Sequence, residues 1–126
     1  MTDKPAAALV QALKQRGLLD STLVQWGGEM GRMPVIQDDA NVGRDHNSFG
    51  FSQWLAGGCI RGSYVLGKTD DFGLHALEGV VNHFDYHATL LHLFGFDHAM
   101  VTFGRGAGVG SLTDGQPARV VKELLA

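Results

Sequence analysis

Apolar residues recur at helical spacing close to the N-terminus, where Ala8, Leu9, Ala12 and Leu13 share one face. Thr2 or Asp3 is placed to cap that helix, and Pro5 falls near its first turn. Lys14 and Arg16 suit its negative end, and Gly17 stops it. The pattern then changes. Thr22-Leu23-Val24-Gln25-Trp26 is short and largely apolar, as expected of a strand buried on both faces. Gly27–Asn47 carries no period and reads as a long irregular segment, a length that goes with function or disorder. Phe51–Ala56 is the next strand, ended by Gly57 and Gly58. Gly62–Gly67 reads as a smaller strand near an edge, and Val80-Val81 as another short one. Asp85 is expected to cap a helix over Tyr86–Phe94, apolar at Leu90, Leu91, Leu93 and Phe94 and closed by Gly95. The glycine run Gly104–Gly110 is loop or hairpin, and Pro117–Ala126 reads as a final helix with Val120, Val121, Leu124 and Leu125 inward.

A helix, a short turn and a buried strand make an α/β unit, so the fold class is α/β with a mixed sheet of about four or five strands. Gly27–Asn47 shows no crossover helix, which favours antiparallel pairing of Phe51–Ala56 with Leu23–Trp26.

Composition narrows the function classes. The chain has 126 residues, which allows one domain at most, with a real core. Hydrophobic residues make up 44% and charged residues 18%, a globular balance that argues against disorder. The net charge is −3 with no basic run, which speaks against a nucleic-acid or anionic-membrane partner. No apolar run reaches the length of a membrane span, and no signal peptide is read at the N-terminus. A single cysteine, Cys59, excludes an internal disulfide and a multi-cysteine metal cluster. The 18 glycines are about double the usual share and mark tight turns around a site or an edge.

Candidate chemistry collects around the long loop. The chain offers Glu29, Asp45, His46, His83, Asp85 and His87, the carboxylates and imidazoles that divalent-metal chemistry uses. Glu29 follows the first strand directly and therefore lies at its carboxyl end, where sites of open α/β sheets are built. With antiparallel pairing, His46 faces Glu29 across the loop. Glu29, His46 and His87 are the candidate metal ligands. Arg32 and Arg44 are candidates for holding an oxyanion by bidentate hydrogen bonds. Plainer roles stand beside these. Glu29 can cap a turn or pair with Arg32, His46 can order its loop, and His87 can hydrogen-bond a neighbouring segment. Asp70-Asp71 reads as a solvated turn, and His75 and His98 as surface residues. Nothing beside Cys59 suggests an activated thiolate, and the glycine run lacks the lysine and hydroxyl residue of a phosphate loop.

Six strings occur in order: LVQWGGEMGRMP, GRDHN, FSQWLAGGCIRG, YVLGKTDDFG, DYHATLLHLFGFDH and RVVKELLA. Together they resemble the C-terminal third of a sulfatase-related family of domains of unknown function within the alkaline-phosphatase-like superfamily. The resemblance covers nearly the whole chain. It implies a partial three-layer αβα sandwich and, for complete members, a metal-dependent hydrolase of sulfuric or phosphoric esters. A divalent zinc, manganese or calcium ion is implied, held weakly or not at all by this chain alone. In that superfamily the nucleophile and the first metal-binding aspartate belong to an N-terminal part, and the strand end comparable to Gly28-Glu29-Met30 usually carries Asp-His. The resemblance therefore implies a C-terminal fragment that is inactive alone and is completed by that N-terminal portion or by a homo-oligomer. The other expectation is a free-standing, non-catalytic binding or self-associating domain with a remnant half-site. Complete relatives look exported.

Overall fold

The computed structural model describes residues 2–40 and 42–126, which divide into two units, 1–80 with Ala126, and 81–125. The fold class is mixed α/β, with two helices and several small antiparallel sheets.

In the first unit, α1 spans Asp3–Gln15, with Asp3 in its first turn and Lys14 in its last, both matched to the helix dipole. Thr2 stands at the cap position without a side-chain bond. The C-terminus closes in a Schellman motif. Leu18 N–H donates to the Leu13 carbonyl at 2.9 Å and Gly17 N–H to the Lys14 carbonyl at 3.1 Å, with Gly17 at φ +68°. No residue of α1 is fully buried.

Strand β1 (Val24–Trp26) pairs antiparallel with β4 (Trp54–Ala56), in the register Val24↔Ala56 and Trp26↔Trp54. The antiparallel arrangement expected from the missing crossover is therefore present. The two indoles lie on one face with ring centroids 6.4 Å apart and nearly parallel planes. Nested between these strands is a second pair, β2 (Gly31–Arg32) with β3 (His46–Asn47). Gly27–Asn47 is thus a folded-back arm whose ladder continues through Met33 N–H to the Asp45 carbonyl at 2.8 Å.

A third pair joins β5 (Lys68–Thr69) to β6 (Ala76–Glu78). The strands expected at Gly62–Gly67 and Val80-Val81 do not form. The turn chemistry of Asp70 decides this. Its carboxylate accepts the N–H groups of Leu74 at 2.8 Å and His75 at 3.0 Å, which fixes a turn and lets only the residues flanking it pair. Asp70 therefore organises a turn that the sequence had suggested was merely solvated.

The second unit contains α2 (His83–Leu93) and a hairpin of β7 (Thr102–Arg105) with β8 (Gly108–Ser111). Asn82, and not Asp85, is the cap, its side chain accepting Asp85 N–H at 2.9 Å. Gly95, at φ +82°, closes α2 with the same Schellman pattern as α1. Asp85 is freed for another task. One of its carboxylate oxygens accepts Arg119 N–H at 2.9 Å, while Thr89 Oγ1 accepts Val121 N–H at 2.9 Å. Backbone amides two residues apart are thus held by α2 side chains, which keeps Arg119–Val121 out of helical geometry. The expected helix over Pro117–Ala126 shrinks to a 3-10 turn at Lys122–Leu124.

Among the described residues the strands form four two-stranded antiparallel sheets in place of one mixed sheet of four or five. Each pair is joined without a crossover connection, which parallel pairing requires. Among the described residues, Ala88 and Val121 are the fully buried hydrophobics, and Asn47, Asp85 and Thr89 the buried polar residues.

Candidate functional site

The nested arm brings Glu29 and His46 together. Glu29 sits where the chain leaves β1 for β2, and His46 opens β3 opposite Arg32. Glu29 Oε1 lies 3.0 Å from His46 Nε2, with both side chains about half exposed or more. The Arg32 guanidinium approaches the same carboxylate oxygen at 3.9 Å. A hydrogen bond from its own backbone N–H, aided by the fields of His46 and Arg32, holds the Glu29 carboxyl below its ordinary range. Partial desolvation opposes that shift.

Backbone and buried side chains fix this geometry. Asp45 Oδ1 accepts the His46 N–H at 2.7 Å. Asn47, 1% exposed, uses its whole amide. It donates to the Leu74 carbonyl at 2.8 Å and the Gly50 carbonyl at 3.2 Å, and accepts Phe49 N–H at 3.0 Å. Gly31, paired with Asn47, allows the close approach of the Gly50 carbonyl, since a Cβ there would collide with that oxygen. Sequence reasoning missed Asn47. Its signal was an Asn placed immediately before Ser-Phe-Gly, a pattern of local side-chain-to-backbone turns.

The remaining candidates are dispersed. Arg44 is exposed and forms no ion pair among the described residues. His87 belongs to the second unit, where its Nδ1 donates to the His83 carbonyl at 2.7 Å. His75 Nδ1 lies 3.2 Å from Asp70 Oδ2, with its ring tilted against Phe49. His98 is more sheltered than the surface role expected of it, its side chain 18% exposed.

The fit to a divalent metal can be judged from the donor atoms. Ligands bonded at about 2.1 Å stand roughly 3.0–3.4 Å apart around one ion. The 3.0 Å between Glu29 Oε1 and His46 Nε2 suits that spacing, and also suits an N–H···O hydrogen bond. Among the described residues no group of three or more His, Cys, Asp or Glu side chains converges as a metal cage. The pair alone supplies two donors, fewer than a metal site needs. An open cleft of about 630 Å³ lies elsewhere in the same unit, between α1 and the Trp26–Trp54 face.

The sequence profile of one protein family, described as a protein of unknown function (DUF1501), matches residues 1–125. The chain belongs to that family. No curated protein and no solved structure matches it significantly. For this DUF1501 chain, the arm from Glu29 to Asn47 is the place where carboxylate, imidazole and guanidinium groups meet. No helix among the described residues is long and apolar enough to cross a membrane.

Proposed function

We propose that this chain is the C-terminal portion of a sulfatase- or phosphatase-like, metal-dependent hydrolase domain, and that it is inactive alone. In this reading its helices and hairpins belong to a larger αβα sandwich of the alkaline-phosphatase-like kind. The observation that carries the reading is the approach of Glu29 and His46 to 3.0 Å at the two ends of one arm, with Arg32 beside them. Glu29 and His46 would hold one divalent ion, zinc, manganese or calcium, in company with ligands from the rest of the domain. Such an ion, when bound, supplies Lewis acidity at an ester oxygen and neutralises developing negative charge. Arg32, beside Glu29, would bind an anionic oxygen of the ester. Two ligands hold an ion weakly, because water must fill the remaining coordination positions.

The test is a titration of the purified chain with zinc and manganese, followed by the nitrogen shifts of the His46 ring, together with an aryl phosphate and aryl sulfate assay. Weak binding, lost in both His46→Ala and Glu29→Gln, and no measurable turnover are expected. Metal binding untouched by either substitution would remove the half-site. Robust turnover abolished by His46→Ala would show that the chain is a complete enzyme.

A further inference from the structure

Resting on the reading of Glu29 and His46 as a working pair, we infer that Asp70 is a positioning residue for His46, acting through Leu74 and Asn47. The two residues belong to different strand pairs. His46 opens β3, and Asp70 starts the turn between β5 and β6. Each bond of the route between them is in place. Asp70 Oδ1 accepts the Leu74 N–H at 2.8 Å, and the Leu74 carbonyl accepts from Asn47 Nδ2 at 2.8 Å. Asn47 adjoins His46 in a strand of two residues, paired Asn47↔Gly31 and His46↔Arg32. His46 Nε2 then meets Glu29 Oε1 at 3.0 Å.

A second route runs beside the first. Asp70 Oδ2 accepts the His75 N–H at 3.0 Å and lies 3.2 Å from His75 Nδ1. The His75 ring is thereby held against Phe49, with centroids 5.1 Å apart. The Ala76 N–H donates to the Phe49 carbonyl at 2.9 Å, and the Phe49 N–H donates to Asn47 Oδ1 at 3.0 Å. Both ends of the Asn47 amide are thus seated on segments whose place Asp70 sets.

Burial makes the route stiff. Asn47 is out of reach of water, so its amide follows its protein partners when they move and does not exchange them for solvent. The far end is sensitive. A hydrogen bond of 3.0 Å does not survive a displacement of about 1 Å, so a small pivot of Asn47 decides whether His46 and Glu29 meet. The Lys68–Glu78 ion pair, at 3.8 Å between exposed side chains, joins the same two strands outside this route and serves as a control.

The full chain should be compared with Asp70→Ala, Asp70→Asn and Lys68→Ala by NMR, through the cross-strand contact between Arg32 and His46 and the ring nitrogens of His46. Asp70→Ala is expected to lose the contact and to shift the ring signals toward those of a histidine without a carboxylate partner. Asp70→Asn keeps an acceptor for the Leu74 N–H and should restore both. Lys68→Ala should change neither. A retained contact in folded Asp70→Ala overturns the proposal, and so does an equal loss in Asp70→Asn or Lys68→Ala. The unsubstituted chain offers a check that no unfolding can void. One opening must release the Leu74 N–H and the Asn47 side-chain amide together, so hydrogen exchange that frees one without the other overturns the proposal too. Zinc added to the same samples separates the role of Asp70 from the half-site. Where zinc moves the His46 ring of the parent chain, Asp70→Ala should weaken its binding by about 10-fold or more, the usual effect of losing a group behind a ligand. Unchanged affinity overturns the role of Asp70. Without a zinc response in the parent chain the half-site falls, and the cross-strand contact alone decides for or against Asp70.

Discussion

Asn47 does the most to place the candidate site, though its amide touches neither Glu29 nor a ligand. Its three hydrogen bonds tie the His46 strand to the Phe49–Gly50 turn and to Leu74, 27 positions away. Replacement by alanine leaves two carbonyls and an amide without partners in a part-buried place. Asn47→Ala is expected to destabilise the first unit by at least about 2 kcal/mol and to broaden the His46 ring signals, as judged by denaturation and NMR. Glu29 yields a pH prediction. Its carboxyl is held below the ordinary glutamate range by a hydrogen bond from its own backbone N–H, and that of Asp70 below the ordinary aspartate range chiefly by the Leu74 N–H bond. A depressed folded value means that each contribution is complete above the unfolded value and is lost as pH falls through the folded one. The carboxyl resonances of Glu29 and Asp70 should therefore titrate at lower pH in the folded chain than after unfolding. Asp70→Asn should remove that residue's share of the acid sensitivity. Glu29 and His46 were legible because they sit at the two ends of one loop between antiparallel strands. Asn47 and Asp70 were not, because a side chain that folds back onto nearby amides has no periodic signature.

Elements show the same division between pattern and local chemistry. Both helices were legible in place, most clearly from the glycine that ends each of them, Gly17 and Gly95. The face each buries was not: Leu9 and Phe94, expected inward, are 52% and 68% exposed, and α2 buries Asp85, Ala88 and Thr89. The start of α2 was displaced because Asn82 and Asp85 are both competent caps, and only burial of the Asp85 carboxylate by the last segment separates them. The segment after Pro117 has the apolar spacing of a helix, yet Asp85 and Thr89 take its amides one by one. Thr89→Val tests that account. Its hydroxyl accepts Val121 N–H and donates to the Asp85 carbonyl, both within the buried part of the second unit. The substitution keeps the shape and strands a buried N–H, so a loss of about 1–3 kcal/mol is expected from chemical denaturation. The Val121 amide should also exchange with solvent faster than in the parent chain. Gly31→Ala addresses the arm. A methyl group there meets the Gly50 carbonyl, so β2 must part from β3 and the Glu29–His46 contact should lengthen, visible as loss of the cross-strand contact between Arg32 and His46 in NMR.

At the scale of the whole molecule, β1 and β4 were legible as short apolar runs and their antiparallel pairing from the missing crossover, whereas β2, β3, β5 and β6 and their partnerships were not. Strands of two to four residues carry too little side-chain pattern to specify a wide sheet, and turns such as that at Asp70 choose the partners. The nesting of β2–β3 inside β1–β4 has a consequence for the order of assembly. Trp26 and Trp54 enclose a long stretch of chain, and closing the inner arm first shortens the loop that the outer pair must still close. Each halving of a loop saves about 0.6 kcal/mol of closure entropy. The inner arm is thus expected to form early and the tryptophan pair late, so a kinetic defect introduced at Asn47 should appear as slower arrival of the indole signal. Damage at one end of the arm would be read out, in time, at the far face of the sheet.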